Sequence, residues 1–74
     1  MSVTPSNTIE ITVNGEPRQI PDGLSVAEFL AHIGIVADRV AVELNRAIVR
    51  KPEWSSTMVP PDAHIEVVQF VGGG

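Results

Sequence analysis

The residues of this chain best placed to do chemistry have no side chains at all. The sequence ends "QFVGGG", and Gly72, Gly73 and Gly74 follow directly on a run that alternates like a β-strand. Fixing a backbone position costs about 1 to 2 kcal/mol in entropy and glycine loses the most, so three in succession are a poor choice for packing. What they offer is access. A thread without side chains can enter a narrow channel in another protein and present the carboxylate of Gly74 to a reactive centre. That carboxylate is ionised at neutral pH, with a reference pKa of about 3.3 to 3.7, and an anion resists nucleophilic attack at its carbonyl carbon. A partner must therefore activate it.

The side chains supply no competing site. Cysteine is absent, which removes disulfides, zinc clusters, iron–sulfur ligation and thiol catalysis together. Glu10, Glu16, Glu28, Glu43, Glu53 and Glu66 are spread over separate segments, so no acid/base pair forms in the sequence. His32 and His64 are isolated, and His32 falls where it can assist a helix dipole. Nothing here reads as an enzyme active site or as a metal or cofactor site. The chain is expected to be acted upon.

Composition agrees with one small domain: 74 residues, 43% hydrophobic, formal net charge −4. No window approaches the roughly 18 consecutive apolar residues of a membrane span, and "MSVTPSN" has neither the basic start nor the apolar stretch of a secretory signal, which predicts a cytoplasmic protein without membrane contact. Five basic residues, with only Arg50 and Lys51 adjacent, give no footprint for nucleic acid, whereas the acidic balance suits a basic protein surface.

The elements that must position the tail follow from periodicity. In "TIEITVNGEPRQI", Ile9, Ile11 and Val13 share one side of a strand, and Asn14-Gly15 supplies the positive φ of a tight hairpin into a second strand ending near Ile20. "PDGLSVAEFLAHIGI" predicts the helix. Ser25 and Glu28 form a capping box, Leu24 and Phe29 occupy the staple positions, and Val26, Phe29, Leu30 and Ile33 line one face. Gly34 is placed to stop that helix with Ile35 folding back on Leu30. "RVAVEL" directs Val40, Val42 and Leu44 inward, and Asn45-Arg46 turns into a short strand around Ile48 and Val49. Trp54 is expected to cap the edge of the core, and the proline-rich loop leads to a last strand over "IEVVQFV". The prediction is an α+β domain at residues 8–71, with one mixed sheet of four to five strands on one helix, a flexible leader over 1–7 and a flexible glycine tail over 72–74. If the last strand lies beside the first, both fall in the middle of the sheet.

This order resembles the ubiquitin-like β-grasp fold, and a strand running into a terminal Gly-Gly marks that fold's carrier and modifier branch. "VAVELNRAIVRKPEW" followed by "IEVVQFVGGG" is similar, more specifically, to the ThiS family of sulfur carriers in thiamine biosynthesis, over nearly everything from Ile9 to Gly74. One departure is local: the turn before the last strand usually reads Asp-Gly-Asp or Gly-Asp in that family and reads Asp62-Ala63-His64 here. The resemblance implies three partners: a ThiF-like adenylyltransferase that uses ATP, a sulfur donor protein and a ThiG-like thiazole synthase. Adenylation of the Gly74 carboxylate makes a mixed anhydride, and a sulfide or persulfide can then expel AMP and leave a thiocarboxylate. A molybdopterin-synthase-type carrier and a ubiquitin-like protein modifier share the same tail and remain alternatives.

Alternation also nominates a docking surface. In "HIEVVQFV", Ile65 and Val67 share one face, and Glu66, Val68 and Phe70 share the other. Turning Ile65 and Val67 to the core keeps the Glu66 carboxylate in water. Glu66, Val68 and Phe70 are then left beside the tail as partner-docking residues, unless Phe70 folds over the sheet edge to shield the core.

Overall fold

In a computed structural model, residues 7–36 and 38–70 are described, so Gly72, Gly73 and Gly74 lie outside the described residues. Pairing starts at the N-terminal hairpin. Strands β1 (Thr8–Val13) and β2 (Glu16–Pro21) run antiparallel from Thr8 opposite Pro21 to Val13 opposite Glu16. Asn14 (φ 50°) and Gly15 (φ 85°) are both left-handed, the twist that a two-residue hairpin loop requires. β2 carries Pro17 and Pro21 and lies at the sheet edge, where a missing N–H breaks no ladder.

The helix α1 (Val26–His32) has every one of its first donors engaged. Val26 N–H donates to the Thr57 carbonyl (2.8 Å) and Ala27 N–H to that of Trp54 (3.1 Å). Glu28 N–H donates to Ser25 Oγ (3.1 Å), and Ser25 N–H returns a bond to Glu28 Oε1 (2.8 Å), completing the capping box. At the other end Gly34 (φ 82°) allows its own N–H to reach the Ala31 carbonyl and that of Ile35 to reach Leu30, the paired closure of a Schellman motif.

β3 (Val40–Leu44) and β4 (Ala47–Val49) form a second hairpin through the left-handed pair Asn45 (φ 51°) and Arg46 (φ 72°). A single 3₁₀ turn over Lys51–Glu53 delivers Trp54 to the core, where it is 4% exposed and its indole N–H donates to the Val49 carbonyl (2.7 Å). The loop then returns through Asp62, which takes a left-handed φ of 62°, a conformation that aspartate tolerates better than most residues.

β5 (His64–Gln69) is the central strand, in the order β2-β1-β5-β3-β4. It lies parallel to β1 (Thr12 opposite His64, Val13 opposite Ile65) and antiparallel to β3 (Leu44 opposite Ile65 through Val40 opposite Gln69). It begins one residue before the predicted "IEVVQFV" because Asn45 holds both backbone groups of His64: its N–H reaches the His64 carbonyl (2.7 Å) and its Oδ1 accepts the His64 N–H (2.8 Å). It stops at Gln69 because β3 begins at Val40, so Phe70 lies past the last ladder pair, contrary to the expected extent. The inner sheet face contributes Ile11, Ile20, Val42, Val49, Ile65 and Val67, and the helix contributes Val26, Phe29 and Leu30. Trp54, Val59 and Ala63 close the edges. A five-stranded mixed sheet over one helix is the α+β, β-grasp arrangement. No helix among the described residues is long and apolar enough to cross a membrane.

Candidate functional site: the outer sheet face and the root of the tail

Period-two geometry fixes which side of β5 meets the helix. Ile65 (1% exposed) and Val67 (8%) are buried, while Glu66 stands in solvent and Val68 remains 53% exposed. Phe70 is 58% exposed and therefore does not shield the core. Its backbone is nonetheless fixed: Phe70 N–H donates to the Arg39 carbonyl at 2.8 Å, and Val36, itself exposed, borders the same depression. Glu66 and Val68 thus share the outward face of β5 with Glu43 and Ile48, whereas Phe70, also exposed, borders a separate depression with Val36, Arg39 and Gln69.

Sheet register adds neighbours that alternation alone does not identify. Val68 is opposite Ala41, Glu66 is opposite Glu43, and Glu43 is in turn opposite Ile48 on β4. Ile48 is 72% exposed, so Val68 and Ile48 flank a pair of carboxylates. Like charges directly opposite across a ladder are destabilising. Glu66→Gln is expected to raise stability by about 0.2 to 1 kcal/mol at low ionic strength, with the gain shrinking as salt screens the pair, as urea unfolding at two salt concentrations will measure. The sequence signal available for Glu43 was its outward alternation; nothing in it revealed that Glu66 is its partner.

A second addition is Asn14. β1 ends at Val13, opposite Ile65, so beyond that point β5 has no β1 backbone beside it. The Asn14 side chain takes over. Val67 N–H donates to Asn14 Oδ1 (2.8 Å), and Asn14 Nδ2 donates to the Val67 carbonyl (3.3 Å). The sequence shows Asn14 only as turn chemistry.

The remaining candidates stay apart from this face or add little to it. His32 is exposed in the last helical turn, and His64 lines a depression with Glu43, Asn45, Arg46 and Glu66. Among the described residues no three His, Cys, Asp or Glu side chains are grouped to hold a metal ion. Gly72, Gly73 and Gly74 are outside the described residues; the last described strand, β5, ends at Gln69 with Glu66 and Val68 on its outer face.

Comparison with known proteins fits this geometry. The crystal structure of the thiamine biosynthesis protein ThiS from Geobacter metallireducens superposes with a TM-score of 0.78 at 32% identity, covering 89% of this chain and 100% of that one. Thiazole synthases from Magnetococcus marinus and Paramagnetospirillum magneticum contain a segment similar to this chain, 36% and 33% identical over 66 residues. Each match takes in 89% of this chain, which spans only 20% of the length of either synthase. The sequence profile of the ThiS family matches residues 11–74, from the first buried strand residue through the three glycines, and with the fold and these likenesses it shows that the chain belongs to the ThiS family, the sulfur carriers of thiamine biosynthesis.

Proposed function

We propose that the chain carries sulfur as a thiocarboxylate at Gly74 and delivers it for thiazole formation. A ThiF-like adenylyltransferase transfers AMP from ATP to the Gly74 carboxylate, releasing pyrophosphate. Sulfide then attacks the carbonyl carbon and expels AMP; where the nucleophile is a persulfide on a donor protein, a thiol must afterwards cleave the remaining S–S bond. The sulfur ends on the carrier and is handed to a ThiG-like thiazole synthase. All the covalent steps are driven by partner groups, and this chain contributes a carbonyl free of steric hindrance.

The observation that carries this reading is the joining of a segment similar to this chain with a thiazole synthase in one polypeptide, in two organisms. A carrier and the enzyme it serves gain from covalent linkage through raised effective concentration. The outward residues Glu66, Val68 and Phe70 support a docking role on that route, since all three are exposed and they precede the tail closely in sequence.

Intact mass measured after incubation with the cognate adenylyltransferase, ATP and a sulfur source is the test. The expected gain equals the difference between sulfur and oxygen and maps to Gly74. A gain on another residue, or none, would overturn the proposal.

A further inference from the structure

We propose that Asn14 is a positioning residue for the tail: its side chain replaces the missing end of β1 and sets the direction in which β5 leaves the sheet. This rests on the sulfur-carrier reading for its functional consequence and on the sheet geometry for its physical one. In the parallel pairing, Thr12 N–H donates to the Ala63 carbonyl and Asn14 N–H to that of Ile65, each at 2.9 Å. The next rung would engage Val67, but the chain has already turned at Asn14-Gly15. One carboxamide provides both halves of that rung, an acceptor for Val67 N–H and a donor to its carbonyl, across 53 residues of sequence. Past Ile65, then, β5 is held among the described residues by β3 on one side and by this side chain on the other.

The leverage is considerable. Phe70, the last described residue, lies three residues beyond Val67, and extended backbone rises about 3.3 Å per residue, so it stands about 10 Å from the grip. A change of about 10° in strand direction at Val67 would displace Phe70, from which the tail sets out, by about 2 Å, when a misplacement near 1 Å already impairs an aligned reaction. The left-handed turn alone does not demand asparagine, because glycine meets the same φ requirement. What glycine lacks is the amide that grips Val67.

The test compares Asn14→Gly, which preserves the turn and deletes the grip, with Asn14→Asp, which keeps the acceptor for Val67 N–H and loses the donor. In the free protein, Asn14→Gly is expected to speed amide exchange at Val67 and lower the backbone order parameter at Phe70. In adenylation by the ThiF-like partner, its kcat should fall by about tenfold while KM for the carrier changes less than about twofold, with Asn14→Asp intermediate. In a form lacking Gly72–Gly74, Asn14→Gly should leave partner affinity unchanged, since the residue acts through the tail. An unchanged order parameter at Phe70, a wild-type kcat, or a loss of affinity in the tail-less form would each overturn the assignment. Failure of the wild-type chain to be adenylated, with the order change at Phe70 present, would count against the carrier reading alone.

Discussion

Adding one residue after Gly74, or deleting Gly74, is expected to abolish thiocarboxylate formation while leaving the melting temperature where it is. In the proposed reaction the attack falls on the terminal carbonyl carbon, and a partner that grips the strand and the tail would measure distance from that grip. One residue more or fewer moves the carboxylate by about 3.3 Å, several times the displacement that costs about 100-fold in an aligned reaction. No compensating slide is available, because β5 is pinned through its ladder with β3 and through Asn14. Stability has no reason to change, since the core is complete without the glycines: Ile65 and Val67 are the last buried residues among those described. Gly73→Val should impair loading as well, by placing a β-branched side chain where the channel is narrow and by restricting φ. Mass spectrometry of loading reactions, paired with thermal melts, separates the two effects. Near-normal loading of the extended chain would mean that the terminus is not the reacting group.

Most of the scaffold could be read from the sequence because it is specified by local chemistry. Asn14-Gly15 encodes its turn within two residues, Ser25 and Glu28 encode the helix start within four, and Gly34 with Ile35 encodes its stop. The orientation of β5 was legible too, since burying an unpaired Glu66 in place of Ile65 or Val67 is prohibitively unfavourable. Register was not. Whether Glu66 is opposite Glu43 or is displaced by two residues makes no difference to which face it occupies, so periodicity cannot distinguish the two. The like-charge pair and the Ile48 flank follow from that register alone. The grip of Asn14 on Val67 was hidden for a related reason, because it depends on the parallel stagger that leaves β1 two rungs short. Phe70 was ambiguous because alternation holds only inside a strand, and the ladder ends at Gln69; its exposure, not its parity, shows that it faces outward.

That exposure makes truncation of Phe70 the sharpest probe of the docking face. As an interface anchor, Phe70→Ala should weaken binding to the ThiF-like partner by about 1 to 3 kcal/mol, since large aromatic residues near the centre of a contact carry a disproportionate share of its energy. A core phenylalanine behaves in the opposite way: removal of Phe29, which is fully buried against both sheet and helix residues, should cost roughly 3 to 5 kcal/mol of stability. At 58% exposure Phe70 has little burial to lose, and its backbone bond to Arg39 survives the substitution because it uses the amide and not the ring. The expected pattern is therefore an unchanged melting temperature with a raised Kd in titration calorimetry, and a smaller rise for Val68→Ala, which removes fewer atoms from the same face. Equal affinity for both variants would remove the outer face of β5 from the interface and leave recognition to the glycine thread. A large drop in melting temperature for Phe70→Ala would instead require the ring to pack against the protein, which its exposed position argues against.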